Sequence, residues 1–453
     1  MKIIIVGGGI AGLTLAYQLV KKGLQVTVLE RENRVGGLAR SYHYDNWSID
    51  IGPHRFHTDD PLVEDFIQDV MKENLIEIER NSKVFFCDAH FDWPLNLRSL
   101  LQLPPSLMLR AGLDLLIRPK ITDDSYESYV MNRYGKTLTN FFFRVYNEKF
   151  LKVGLKDCHR DWAETGINRA TIDKDIKSSS ITDLLLGVLS QKEVNTRFLY
   201  PKTGPIDLFP EILRERIKAL GGTVEVDVTI SGATVEDRTV KRIESLDGRT
   251  WDADYLVWTG DPNDLEKLLN LPLTTLNYNS TVLCNLLVEG DPLVPSQWEY
   301  FGSRDFIFCR TSTNTCFNPC LAPEGYYGIC AELLCYENDY VWKQPETLLN
   351  SVIQNLIHSN LVRNFNSIMD VNFEWVKNTY PIYKIDYLEH LNTYKKKIAN
   401  MKNVLACGRT GGFWYNNMDH SIRSSIDIAD KFDPEKLSGG GQPPASGVWR
   451  GDF

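Results

Sequence analysis

The sequence predicts an α/β protein: a Rossmann-type dinucleotide-binding domain with a discontinuous mixed α+β second domain threaded through it. Three observations predict this. The chain opens with strand, glycine turn, helix, second strand and acid, the order of a βαβ unit. Near the other end, the apolar run Val404–Cys407 ends in Gly408-Arg409 and is followed by Asp419 before a helical segment. Between them lie mostly helical segments and then a strand-rich, aromatic stretch, residues 280–345. The boundaries expected are 1–60, 196–265 and 396–436 for the nucleotide domain, and 61–195 and 266–395 for the substrate domain. Residues 437–453 read as a flexible tail.

In the opening unit, Ile3–Val6 is an apolar run that reads as a buried parallel strand. Gly7, Gly9 and Gly12 then match G-x-G-x-x-G. Gly7 turns the chain tightly, Gly9 lets a pyrophosphate approach the backbone, and Gly12 lets the helix pack closely on the strand. Leu13–Lys22 has helical spacing, Gly23 stops it, and Gln25–Leu29 is the second strand. The helix N-terminus offers free N–H groups to phosphates. Glu30 stands at the strand tip to accept hydrogen bonds from the adenosine ribose.

Composition narrows the class. At 453 residues the chain holds two intertwined domains or one large one. The net charge of −9 argues against a nucleic-acid surface. No apolar run approaches membrane-spanning length, and the first strand leaves no room for a signal peptide. Nine cysteines without a C-x-x-C fit reduced thiols, hence a cytoplasmic location. Cys316, Cys320, Cys330 and Cys335 are poorly spaced for zinc and read as small apolar residues, so no metal is expected.

After the ribose acid comes Arg34-Val35-Gly36-Gly37-Leu38-Ala39-Arg40-Ser41. This resembles the R-x-G-G-x-x-x-S/T continuation of the two-dinucleotide-binding-domain (GR2) flavoproteins. The resemblance implies FAD rather than NAD, with Arg31, Gly37, Leu38 and Arg40 along the cofactor. Alternation up to Ile51 suggests a short hairpin, and Gly52-Pro53-His54-Arg55-Phe56-His57-Thr58 follows. That loop is similar to the G-P-H-x-F-H-T loop of the UDP-galactopyranose mutase family, which implies His54 beside the flavin. A histidine that merely caps a turn is the competing reading.

Residues 61–135 read as largely helical: Leu62–Met71, segments around Leu97–Ile117, and Ser125–Tyr134. Met108–Ile117, flanked by Arg110 and Arg118, is amphipathic and expected as a buried core helix. Residues 138–170, with Tyr146, Lys149, Phe150, Trp162 and Ala163, resemble a stretch shared by the mutases and protoporphyrinogen-oxidase-like flavoproteins. The resemblance puts Arg169 on the substrate diphosphate; a solvent-facing arginine is the alternative. Leu199–Pro205, a helix Leu208–Leu220 and a strand Thr223–Ile230 return the chain to the nucleotide domain. In relatives, the position of Val228 touches the flavin nucleotide through its backbone. Alternation over 232–250 around Asp247-Gly248 is a hairpin signal, and Ala253–Gly260 closes the nucleotide sheet.

In the aromatic stretch, Arg310, Asn318-Pro319 and Glu332 resemble the eukaryotic-type galactopyranose mutases, which implies Arg310 as the second diphosphate ligand. A helix Tyr387–Asn400 precedes the C-terminal motif. There, Gly408, Arg409, Tyr415, Met418 and Asp419 match the mutases' "G-R-x-G-x-x-x-Y-x-x-M-D" pattern, and Ser421 follows in the helix behind it. The resemblance places Tyr415 at the reacting end and the others on FAD. Phe413-Trp414 departs from it, because the mutases carry a cation there. Trp449–Phe453 is a docking end or nothing.

Taken together, the resemblance implies a flavin-dependent sugar-nucleotide pyranose/furanose mutase, active with reduced FAD and dependent on NAD(P)H or another reductant. Flavin N5 would attack the anomeric carbon, displace the nucleotide and allow the ring to reclose at the other size. His54, Arg169, Arg310 and Tyr415 would do the work at the sugar. An FAD-dependent oxidoreductase of the protoporphyrinogen/amine-oxidase type is the alternative, favoured by Trp414 and the aromatic pocket. A binding module without flavin chemistry is the third reading; intact FAD motifs at both ends argue against it.

Overall fold

The computed structural model describes residues 1–93, 104–117, 121–163, 197–432 and 447–449. A six-stranded sheet has the order Gly447–Trp449, Val404–Cys407, Tyr255–Trp258, Lys2–Val6, Gln25–Leu29, Thr223–Glu225. Every neighbouring pair is parallel. Parallel strands are covered on both faces, which is why Ile3–Ile5 and Leu256–Val257 are unbroken buried apolar runs. The helix Ile10–Lys21 packs between the sheet and the helices Leu208–Ala219 and Met418–Lys431.

A seven-stranded sheet forms the second body. Its order is Ile368–Pro381, Tyr278–Glu289, Tyr326–Cys335, Arg310–Thr313, Trp298–Phe301, Ser82–Phe86, Ala89–Asp92. All its pairs are antiparallel except Trp298–Phe301 beside Ser82–Phe86. Tyr278–Glu289 is paired on both edges and buried along eleven of its twelve residues, so it anchors the sheet. A three-stranded sheet, Ile230–Glu236, Thr239–Ser245 and Thr250–Asp252, carries the hairpin at Asp247-Gly248.

Four expectations are corrected. In residues 61–135 the expected helices stand at Pro61–Met71, Pro105–Leu116 and Tyr126–Leu138, but Leu75–Glu79, Ser82–Phe86 and Ala89–Asp92 are strands. Leu75-Ile76-Glu77-Ile78-Glu79 is too short to repeat at helical spacing, and Cys87 and Asp88, both at positive φ (49° and 54°), make the two-residue hairpin turn. The helix Pro105–Leu116 is not a buried core helix. Ala111 is buried, but Leu109, Leu113 and Ile117 are 67%, 51% and 81% exposed, since they share the face turned away from the protein. The strand expected over Thr223–Ile230 ends at Glu225, where Asp227 at φ 55° turns the chain. Finally, the tail is not unstructured throughout: Gly447–Trp449 adds a parallel edge strand beside Leu405–Cys407. The rest of the tail, and Arg169, lie outside the described residues.

Candidate functional site

A cleft of about 910 Å³ runs from the C-terminal ends of Lys2–Val6 and Gln25–Leu29 to the antiparallel sheet. Gly7 sits at φ 108°, and a Cβ there would lie 2.1 Å from Thr259 Oγ1. Gly12 is outside the cleft lining; a Cβ on it would come 2.0 Å from the Gly7 carbonyl oxygen, so it sets the helix-to-strand distance. Gly9 and Gly37 face one another, with a Cβ on Gly37 only 3.1 Å from Gly9 Cα. Side chains there would fill the cradle. No side chain caps the helix that starts after Gly9, nor the one that starts after Asn417. Two helix N-termini therefore open near the cleft, the arrangement that suits phosphate oxygens.

The acid at the strand tip also holds the turns together. Glu30 is buried, and its carboxylate accepts from the Gly8 N–H at 2.6 Å and the Glu32 N–H at 3.0 Å. The Val228 N–H donates to the Glu30 carbonyl at 2.8 Å, so at Val228 only the carbonyl is left to face a ligand. Arg31 and Arg40 pair with Glu32 at 3.4 and 3.2 Å. Leu38, Gly408, Arg409, Met418, Asp419 and Ser421 line the same cleft. Arg409 donates to the carbonyls of Thr379 and Asn416 and lies over the rings of Tyr380 and Tyr415, 5.2 and 4.6 Å from their centroids. A glycine cradle, two uncapped helix ends and a buried acid between strand tips fit the pyrophosphate and ribose of FAD.

At the far end of the cleft stands His54. Gly52 turns its loop at φ 65°, and a Cβ there would lie 2.6 Å from Glu332 Oε1. Burial, with Arg310, Arg409 and Arg55 nearby, pushes the imidazole down to about 3, so His54 is neutral at ordinary pH. Its Nδ1 is sealed from solvent, and a backbone hydrogen bond with Ile51 opposes only a small part of the shift. Arg310 is held as a fork: Nε donates to Glu332 Oε1 at 2.6 Å and Nη2 to Oε2 at 2.8 Å. Nη2 also donates to the Tyr380 hydroxyl at 2.9 Å. Tyr415 stacks on Trp162 (5.0 Å, 16°) and lies 5.5 Å from Tyr380. Its N–H donates to the Tyr383 hydroxyl at 2.9 Å. His54, Arg310 and Tyr415 therefore share one cleft with the glycine cradle. At the departure, Phe413 is buried at φ 47° and Trp414 packs on His420 at 5.7 Å.

Sequence reasoning missed Tyr380, Arg55 and the real partner of Arg310. Glu332 was visible, but its pairing appears only through the register that sets Arg310 opposite it. Arg55 lies inside the quoted loop, yet the rings it packs on, Phe198 and Trp298, come from distant segments. Among the described residues no cluster of three or more His, Cys, Asp or Glu could hold a metal ion, and no helix is long and apolar enough to cross a membrane.

Residues 5–70 match the NAD(P)-binding Rossmann-like domain family. The L-amino-acid oxidase of Crotalus adamanteus is 45% identical over 67 residues, 15% of this chain and 13% of that protein. The coproporphyrinogen III oxidase of Staphylococcus aureus is 24% identical over 262 residues, 52% of this chain and 53% of that protein. The chain thus spans only part of the curated relatives it matches. Among solved structures, reduced UDP-galactopyranose mutase superposes with a TM-score of 0.82 at 20% identity, covering 97% of this chain and 95% of that one. A protein assigned as a protoporphyrinogen oxidase from Exiguobacterium sp. 255-15 superposes at 0.75 and 17% identity, covering 95% and 98%. The chain shares the α/β fold of these two structures, with a Rossmann-like nucleotide domain at its start.

Proposed function

We propose that this protein is an FAD-dependent mutase that interconverts the pyranose and furanose forms of a nucleotide-activated sugar. The observation that carries the reading is His54: a neutral, half-buried imidazole, on a loop of the mutase pattern, at the end of the dinucleotide cradle. The likeness to UDP-galactopyranose mutase over nearly the whole chain supports it.

FAD would lie with its pyrophosphate at Gly9, Gly37 and the helix after Asn417, and its adenosine ribose at Glu30. Reduced FAD, when bound, supplies an electron-rich ring nitrogen that is nucleophilic toward an anomeric carbon. His54 stays neutral, so it positions a sugar hydroxyl or the cofactor without moving a charge. Tyr415, held flat against Trp162, walls the sugar and excludes water. Of the diphosphate clamp, Arg169 stays a proposal from resemblance, and Arg310 contributes only what its bond to Glu332 leaves over. Cytoplasmic location and NAD(P)H as reductant belong to the same reading.

An oxidoreductase is the second reading. Phe413-Trp414 in place of a cation favours it, as does the match to coproporphyrinogen III oxidase over half the chain. One experiment separates the two. The protein is purified, its flavin spectrum recorded, and UDP-galactopyranose or UDP-galactofuranose added with and without dithionite. Interconversion only in the reduced form supports the mutase. Flavin that is reduced by a substrate and reoxidised by oxygen, with no sugar interconversion, supports the oxidoreductase. A colourless protein that takes up no added FAD ends both readings.

A further inference from the structure

The charges around the cleft are not balanced where the resemblance puts them. Arg310 is already neutralised by the buried Glu332, which takes both its Nε and Nη2. An anion arriving there meets a carboxylate as well as a guanidinium. Two other arginines have no such partner. Arg55 lines the cleft directly after His54; its Nη1 donates to the Pro53 carbonyl at 3.1 Å, and its Nε is sealed from solvent with no partner among the described residues. Arg80, at the end of the strand Leu75–Glu79 and outside the cleft lining, donates from Nε to Ser82 Oγ at 2.9 Å. Among the described residues neither arginine forms a salt bridge.

Both guanidinium groups sit over the same ring. Arg55 lies 4.5 Å and Arg80 5.5 Å from the centroid of Trp298, and Arg55 also covers Phe198 at 4.9 Å. Trp298 and Phe198 are each 1% exposed, so the platform is fixed. Cation–π contact offsets part of the cost of holding the cations out of water, but not their mutual repulsion. Burial and the neighbouring Arg80 and Arg310 push Arg55 down to about 10, a cost that a bound anion would reverse.

We propose that Arg55, held on Trp298 beside Arg80, forms the subsite for the diphosphate of the nucleotide-activated sugar, with Arg80 adding its charge from outside the cleft lining, and takes the part that resemblance gives to Arg310. This rests on the nucleotide-sugar reading of the cleft. Planar guanidinium forks match phosphate oxygens two at a time, and an aromatic platform orients the forks before the ligand arrives. His54, one residue from Arg55, then lies where a sugar attached to that diphosphate would reach the cofactor.

The test is calorimetric titration of the FAD-loaded protein with UDP and with inorganic pyrophosphate. Wild type is compared with Arg55→Gln and Arg80→Gln, each checked for an unchanged flavin spectrum. The expected result is that both probes bind and that each variant weakens both by about tenfold or more. Pyrophosphate binding that depends on the two arginines, with no UDP binding, keeps the anion subsite and removes the nucleotide-sugar reading. UDP binding that is unchanged in both variants overturns the subsite and leaves that reading standing. If neither probe binds wild type, both fall. Phenylglyoxal modification of the wild type, read by peptide mass, decides the case in which a variant does not fold. Saturating pyrophosphate should protect Arg55 and Arg80, and equal modification with and without it overturns the subsite.

Discussion

A buried carboxyl and a half-buried imidazole four residues apart should give the stability of this protein opposite dependences on pH. Asp50 ends the strand Ser48–Asp50, and its carboxyl accepts from the Ser41 hydroxyl (2.7 Å), the Tyr200 hydroxyl (2.6 Å) and the Ile206 N–H (3.1 Å). Burial outweighs these bonds and pushes it up from 3.8 to about 7. His54 is pushed down by burial from 6.5 to about 3. Folded Asp50 therefore keeps a proton that the unfolded chain releases. Its stabilising share is complete below the unfolded value and is lost as pH rises to about 7. For His54 the unfolded chain binds the extra proton, so its share is complete above 6.5 and is lost as pH falls toward 3. Each slope is about 1.4 kcal/mol per pH unit, which sums to about 4 kcal/mol for Asp50 across its window. Between about pH 4 and 6.5 the two nearly cancel in the wild type. The variants separate them. From pH 4 to 7, Asp50→Asn should gain stability relative to wild type as pH rises, and His54→Asn should lose it up to 6.5. Urea unfolding followed by near-ultraviolet circular dichroism, at half-unit pH steps, measures both differences. Flat differences, or two of the same sign, would refute the burial argument.

Other outcomes follow from the same geometry. Gly12→Ala drives a Cβ into the Gly7 carbonyl, so the purified variant should hold little or no flavin, read as the ratio of visible to ultraviolet absorbance. Glu332→Ala leaves the Arg310 guanidinium buried without its carboxylate and should cost about 3–5 kcal/mol in urea unfolding; a loss under about 1 kcal/mol would mean that Arg310 finds another anion or water. Because His54 is neutral, the pH profile of turnover should show no limb from it between about pH 5 and 8, and His54→Asn should lower turnover without moving the profile. All nine cysteines are free, and Cys87 and Cys320 are exposed while Cys316 is half-buried. Native protein should therefore react with a thiol reagent quickly at two positions and slowly at a third, by timed mass measurement.

The nucleotide domain was legible because each step in it is local. Gly7, Gly9, Gly12 and Glu30 act within one βαβ unit, and the hairpin Ser41–His43 with Ser48–Asp50 follows from alternation over ten residues. Strands whose partners are distant were not legible. Leu75–Glu79 pairs with Arg197–Pro201, so nothing near it marks an edge to be filled; Ser82–Phe86 has a local hairpin partner in Ala89–Asp92, but its other edge waits for Trp298–Phe301. The helix Pro105–Leu116 failed for a different reason. Its amphipathic pattern shows that one face is apolar, but not that another segment covers that face.

The same limit governs the candidate site, and it decides which arginine does what. Arg310 and Arg55 are equally plausible phosphate ligands as residue types. Strand register sets Arg310 opposite Glu332, and the fork closes on the carboxylate before any ligand arrives. Arg55 instead faces Phe198 and Trp298, which stabilise a cation without cancelling its charge. A motif names the residue type at a position; only the fold tells whether its charge is already spent. On the subsite proposed for Arg55, a cleft of this fold keeps its cofactor motifs at both ends while its anion-binding charge sits on a loop and not on the strand that carries Arg310.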